Sequence, residues 1–178
     1  MSSPFAMINT ALFATRATIW LALAGYAFAV IAFLFSKQRT RWLAWARGVW
    51  TAGCIVFLAH VFFAFSFYYD WSHATAYHDT ARQTSEIIGW NWGGGLFVSY
   101  VFTLAWVMDV LCWWWQGLQS YGRRSRALMI AWHAFFFFIV FNGTVVFGTG
   151  PVRWFGVLLC LSLFVVSWRT MRWQAFNN

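Results

Sequence analysis

Few residues in this sequence can do chemistry, and their positions are unusual. Asp109 is the sole acid inside any apolar run, in Gly93–Trp115, and His60 and His133 lie in the apolar runs on either side of it. A carboxylate at mid-depth in hydrocarbon costs about 2.5–3.5 kcal/mol on insertion scales, so Asp109 needs protein or water around it and a partner. Depth names one. Asp109 precedes Gln116 by seven residues and His133 follows Arg126 by seven, which puts both about 10 Å inside the same basic boundary at 1.5 Å per residue. The expected arrangement is an Asp109–His133 hydrogen bond between neighbouring helices, serving either as a structural link or as a proton relay or ligand site.

His60 follows Arg47 by 13 residues and lies about 20 Å from that boundary. Tyr100 and Asn142 fall at a comparable depth. Together with Gly93, Gly94 and Gly95 they define an expected outward polar pocket, with a buried, hydrogen-bonded histidine as the plainer alternative. The three glycines read either as a close helix crossing or as an anion seat at a helix N-terminus. They are not a phosphate loop, because the Lys-Ser/Thr pair is missing. His60 and His133 differ by about 10 Å in depth, so one haem iron is not expected to take both. A single-histidine haem or a metal stays open at either, whereas covalent haem attachment lacks its Cys-x-x-Cys-His sequence. Cys54, Cys112 and Cys160 read as buried thiols, and no Gly-x-Ser-x-Gly context supports a serine hydrolase.

The segment 69–92 is too polar to cross a membrane and too patterned for a linker. Ser72 can cap a helix over His73–Ile88, and Gly89 can end it. Ala74, Tyr77, Ala81 and Ile88 make an apolar stripe, while Asp79, Arg82 and Glu86 fall on another face with Arg82 and Glu86 spaced for an ion pair. The expected object is a short amphipathic helix in the outer loop, read as a solvated surface, a protein-docking surface or, least favourably, a metal site. His73 and His78 are five apart, a poor helical spacing for two ligands; Asp70 and His73 are better placed, as weak metal candidates.

These groups must be positioned by helices in a bilayer. The chain of 178 residues is 62% hydrophobic, 24% aromatic and only 9% charged, against roughly a quarter charged in a water-soluble domain. The fold class is therefore an all-α integral membrane protein, a single domain over residues 1–178. Five stretches have the roughly 17–25 residues a span needs: Thr18–Phe35, Gly48–Tyr68, Gly93–Trp115, Ala127–Val146 and Val152–Trp168. Nine of the twelve basic residues (Lys37, Arg39, Arg41, Arg47, Arg123, Arg124, Arg126, Arg169 and Arg172) then share one side. By the positive-inside rule the N-terminus is outside and the C-terminus cytoplasmic. No cleaved signal peptide is expected, since the charge cluster follows the first apolar run rather than preceding it.

Trp42, Trp45, Trp50, Trp113, Trp114, Trp115, Trp168 and Trp173 read as a cytoplasmic belt, and Trp71, Trp90, Trp92 and Trp154 as an outer one. Gly25 and Ala29 form a small-xxx-small pair for close packing. The link Phe147–Pro151 is short enough to make the last two spans a hairpin. The net charge of +8 is accounted for by loops beside an anionic leaflet and calls for no nucleic acid. Three functions fit: a non-catalytic subunit or accessory protein of a larger bacterial inner-membrane assembly, a small redox, cofactor or metal protein using an intramembrane histidine, or an oligomeric transporter or membrane enzyme. Lipid and other membrane subunits or further copies of the chain are the expected partners.

Overall fold

The computed structural model describes residues 4–35, 40–118, 124–148 and 150–176. Lys37, Arg39 and Arg123 lie outside the described residues, as do the side chains of Arg126, Trp168, Arg169, Arg172 and Trp173. Regular structure among the described residues is entirely helical. In chain order it comprises α1 (Pro4–Phe35), α2 (Thr40–Tyr68), α3 (His73–Ile88), α4 (Gly95–Gln116), α5 (Arg126–Phe141) with a following π-helical turn (Asn142–Val146), and α6 (Pro151–Phe176). Two compact units result: α1 to α4 within Met1–Leu118, and α5 to α6 within Gln119–Asn178.

Among the described residues four helices are long and apolar enough to cross a membrane, over Ala11–Ala32, Thr40–Tyr68, Gly95–Gln116 and Ala127–Val146. Within α6, Val152–Ser162 forms a shorter apolar helix. Three boundaries differ from expectation: the last helix runs on to Phe176, past Trp168, and two helices start early. The first helix starts at Pro4, well before Thr18, because proline is pre-set for a first helical turn and no second proline interrupts the run. The second starts at Thr40, before Gly48, because Arg, Leu and Ala in residues 40–47 favour helix whether or not they are apolar.

In the first unit α1 packs on α2 at a glycine contact. A Cβ built on Gly25 would sit 3.1 Å from the Gly53 Cα, so the two backbones nearly touch. Ala22, Tyr26 and Ala29, on the same face of α1, are buried. The Gly25/Ala29 pair thus lies in the contact, and Gly53 supplies its other half. Hydroxyls along the helices satisfy themselves within their own turn: Thr15 donates to the Ala11 carbonyl (2.8 Å), Thr51 to Arg47 (2.8 Å) and Thr103 to Ser99 (2.8 Å). Such bonds remove the cost of a bare hydroxyl in hydrocarbon without any neighbouring helix.

In the second unit Ser125 caps α5 by accepting from the Leu128 amide. The π turn closes with the Phe147 amide donating to the Asn142 carbonyl at 2.9 Å. Gly150 adopts φ +59°, which only glycine takes without strain, and Pro151 opens α6. Gly156 lies directly against buried Thr144, whose side chain would collide with a Cβ there. Thr144 meanwhile donates to the Val140 carbonyl at 2.7 Å.

Candidate functional site

Along α4, Phe102, Trp106, Asp109 and Trp113 recur at helical spacing and are all buried. This face meets α2 at Trp50, Cys54 and Phe57. The Trp50 indole Nε1 donates to Asp109 Oδ2 at 3.0 Å. Trp50 is only 3% exposed and Asp109 7%, so this is a bond in the interior of the unit. Rings close over it: Trp50 lies 5.2 Å from Trp106 and 6.0 Å from Tyr26 of α1, while Phe57 stacks on Trp106 at 5.4 Å and meets Phe102 edge-on at 5.2 Å. An indole N–H donates to a carboxylate without adding charge, and the aromatic shell keeps water from competing for the bond.

One turn further along, the same two helices are joined again. Trp114 Nε1 donates to Thr51 Oγ1 at 3.0 Å, and the Arg47 guanidinium sits 3.9 Å above the Trp114 ring centre.

His60 faces α1. Its Nδ1 donates to the Thr15 carbonyl at 3.0 Å and lies 3.5 Å from Thr18 Oγ1. The reason is register, for His60 is seven residues beyond Gly53 and shares the face that meets α1. A proton on Nδ1 leaves the lone pair on Nε2, the tautomer that suits a metal ligand. Tyr100, expected beside His60, instead shares a 2.7 Å hydrogen bond with His73 Nδ1. Asn142 belongs to the second unit, where its amide donates to the Phe138 carbonyl at 2.8 Å. Asp109 and His133 likewise belong to different units.

The glycine run seats α3. A Cβ on Gly93 would lie 2.5 Å from the Tyr77 carbonyl oxygen, and one on Gly95 would lie 3.3 Å from Thr80 Cγ2. The structure therefore places this run at a close helix approach, with Trp92 folded against Gly94. Beneath α3, Phe65, Ala76 and Leu96 form a small core flanked by Val61, Tyr69, Tyr77 and Tyr100.

Ser72 Oγ accepts from the Thr75 amide, and Gly89 ends α3 at φ +75° with its amide bonded to Ser85. The buried face of α3 differs from the expected stripe. Ala76, Ala81 and Thr84 are buried, whereas Ala74 and Ile88 are exposed. Small side chains allow the closer approach, and Thr84 tolerates burial by donating to the Thr80 carbonyl at 2.8 Å.

Asp79 gathers the polar face. Its carboxylate pairs with Arg82 at 2.6 Å and accepts from Gln83 at 2.8 Å and from the Tyr69 hydroxyl at 3.3 Å, while Arg82 also reaches Glu86 at 2.7 Å. Burial, and then the Asp79 charge, push the Tyr69 hydroxyl up to about 12. The two carboxylates hold the Arg82 guanidinium above its usual range, chiefly through the Asp79 hydrogen bond. His78 is exposed, its ring against Tyr77, and Asp70 sits in the left-handed turn into α3 (φ +44°) with Trp71 (φ +59°). Among the described residues no three His, Cys, Asp or Glu side chains gather as a metal site.

The belt reading needs one correction. Trp42, Trp45, Trp114, Trp115, Trp71, Trp90, Trp92 and Trp154 are exposed, but Trp50 and Trp113 are buried. Trp50 lies ten residues inside α2 and Trp113 near the end of α4, and the rotation of each helix turns the ring toward a neighbouring helix. Trp50 is the site residue that sequence reasoning missed; its four-residue separation from Cys54 on the α2 face was the available signal.

Long apolar helices, self-satisfied hydroxyls and a buried carboxylate held by an indole together define a helical membrane protein. No family model matches the sequence, and no curated protein or solved structure matches it.

Proposed function

We propose that the chain is a non-catalytic subunit or accessory protein of a larger assembly in the bacterial inner membrane. It would have five spans, an outer N-terminus and α3 in the outer loop. The observation that carries this reading is the share of each span used internally: none of the four candidate spans has more than 28% of its residues buried inside the chain. Large aromatic surface is left for lipid and partners, with Trp115 93% exposed and Trp90 stacked on Trp92 at 5.7 Å beside α3. The chemistry-bearing groups of the first unit support it too. Asp109, His60 and His73 each bond to another helix, which is what structural links do.

Membranes solubilised in digitonin and run on a native gel should show the protein in a complex far larger than a monomer. Migration as a monomer would overturn the reading. The basic loops support the orientation. Cysteines placed at Ser85 and Ser120 should accordingly label from opposite sides of the membrane, and labelling from one side would reject the five-span arrangement.

A further inference from the structure

The first turns of α2 carry an open groove of about 410 Å³, lined among the described residues by Arg41, Ala44, Trp45, Gly48, Val49 and Ala52. These positions follow helical spacing along one side of α2, away from buried Ala46, Trp50, Gly53 and Cys54. Alanine and glycine make the depression, and a Cβ at Gly48 would meet nothing within 4 Å. Arg41 and Trp45 stand exposed at its end nearest the helix start.

We propose that this groove binds one anionic phospholipid. Its phosphate pairs with the Arg41 guanidinium, and one acyl chain lies along Ala44, Gly48 and Ala52. Charge favours an anionic headgroup. Arg41 lines the groove within a stretch of sequence that is basic from Lys37 to Arg47, no acid precedes Asp70 in the chain, and the start of a helix adds the positive end of its dipole. Length favours an acyl chain. From Arg41 to Ala52 the helix rises about 16 Å, close to the roughly 15 Å depth of one hydrocarbon leaflet. Trp45 occupies the position between headgroup and chain where an amphipathic ring is most stable. The guanidinium offers a fork of donors matched to phosphate oxygens, which a zwitterionic choline headgroup partly neutralises with its own cation.

The test uses the full chain purified in dodecyl maltoside, titrated with phosphatidylglycerol or with phosphatidylcholine of identical acyl chains and read by native mass spectrometry. The wild type should retain phosphatidylglycerol about tenfold better, the scale of one charge-assisted contact. Arg41→Gln should lose that preference. Gly48→Leu, whose side chain enters open space, should lower retention of both lipids several-fold with an unchanged helical circular dichroism spectrum. Should Arg41→Gln fail to fold, Trp45→Phe and Gly48→Leu still report on the groove. Equal retention of the two lipids by the wild type would overturn the proposal. So would phosphatidylglycerol binding by Gly48→Leu at the wild-type level, and a Gly48→Leu variant that only changes oligomer mass would assign the groove to a second copy instead.

Discussion

Trp50→Phe is expected to destabilise the folded protein by about 2 kcal/mol, because it removes the indole donor from a buried carboxylate while keeping most of the ring. The Trp50–Asp109 bond is 3.0 Å long and shielded by Tyr26, Trp106 and Phe57 within its own unit, so water is a poor replacement. Asp109→Asn should cost less, since the amide oxygen can still accept from Trp50 and no charge is left in the interior. Asp109→Leu removes the acceptor altogether, and combined with Trp50→Phe it should cost less than the sum of the two single changes, because the partners fail together. Thermal or denaturant unfolding in micelles measures each variant. Strictly additive shifts would mean that this bond contributes nothing to stability.

A larger effect is expected at the α1–α2 contact. Gly25→Leu places a branched side chain where a single Cβ already lies 3.1 Å from the Gly53 Cα, and backbone cannot move aside as a side chain can. The helices must separate, which also strains the Tyr26–Trp50 ring contact and the His60–Thr15 hydrogen bond. The expected loss is about 3 kcal/mol or more, at the upper end of overpacking costs. Two controls on α2 make the prediction specific. Gly53→Ala would meet Trp106 at 3.4 Å, an ordinary contact, and should cost less than about 1 kcal/mol; Gly48→Leu points into open space and should leave stability nearly unchanged. A Gly25→Leu variant that unfolds like the wild type would show that α1 and α2 do not cross at this glycine.

Much of the architecture was written locally. Composition and apolar run length decided the membrane class, since only helices or closed barrels satisfy their backbone in lipid and the runs are continuous. Ser72 and Gly89 marked the ends of α3 because capping depends on a residue and its immediate neighbours. The Gly25/Ala29 pair and the three glycines at 93–95 marked places of close approach, because the absence of a side chain is itself the message.

The facing of the long helices was decided only by tertiary packing. A helix that is apolar all round has no polar stripe to declare its buried side, so Trp50 looked like a belt tryptophan until α4 was placed against it. Polar spacing misled for the same reason. His60 and Tyr100 share a depth, yet one bonds to Thr15 of α1 and the other to His73 of α3, because depth fixes position along an axis and leaves rotation about it free. Hydroxyls gave no guidance either, since Thr15, Thr84 and Thr103 satisfy themselves on their own helix. The sequence by itself determined that Asp109 and His60 lie within long apolar helices, where each must find a partner. Which helix each one faces depends on rotations that only packing against neighbours can select, where backbone contact at Gly25 and Gly53 and ring contact around Trp106 outweigh any local preference.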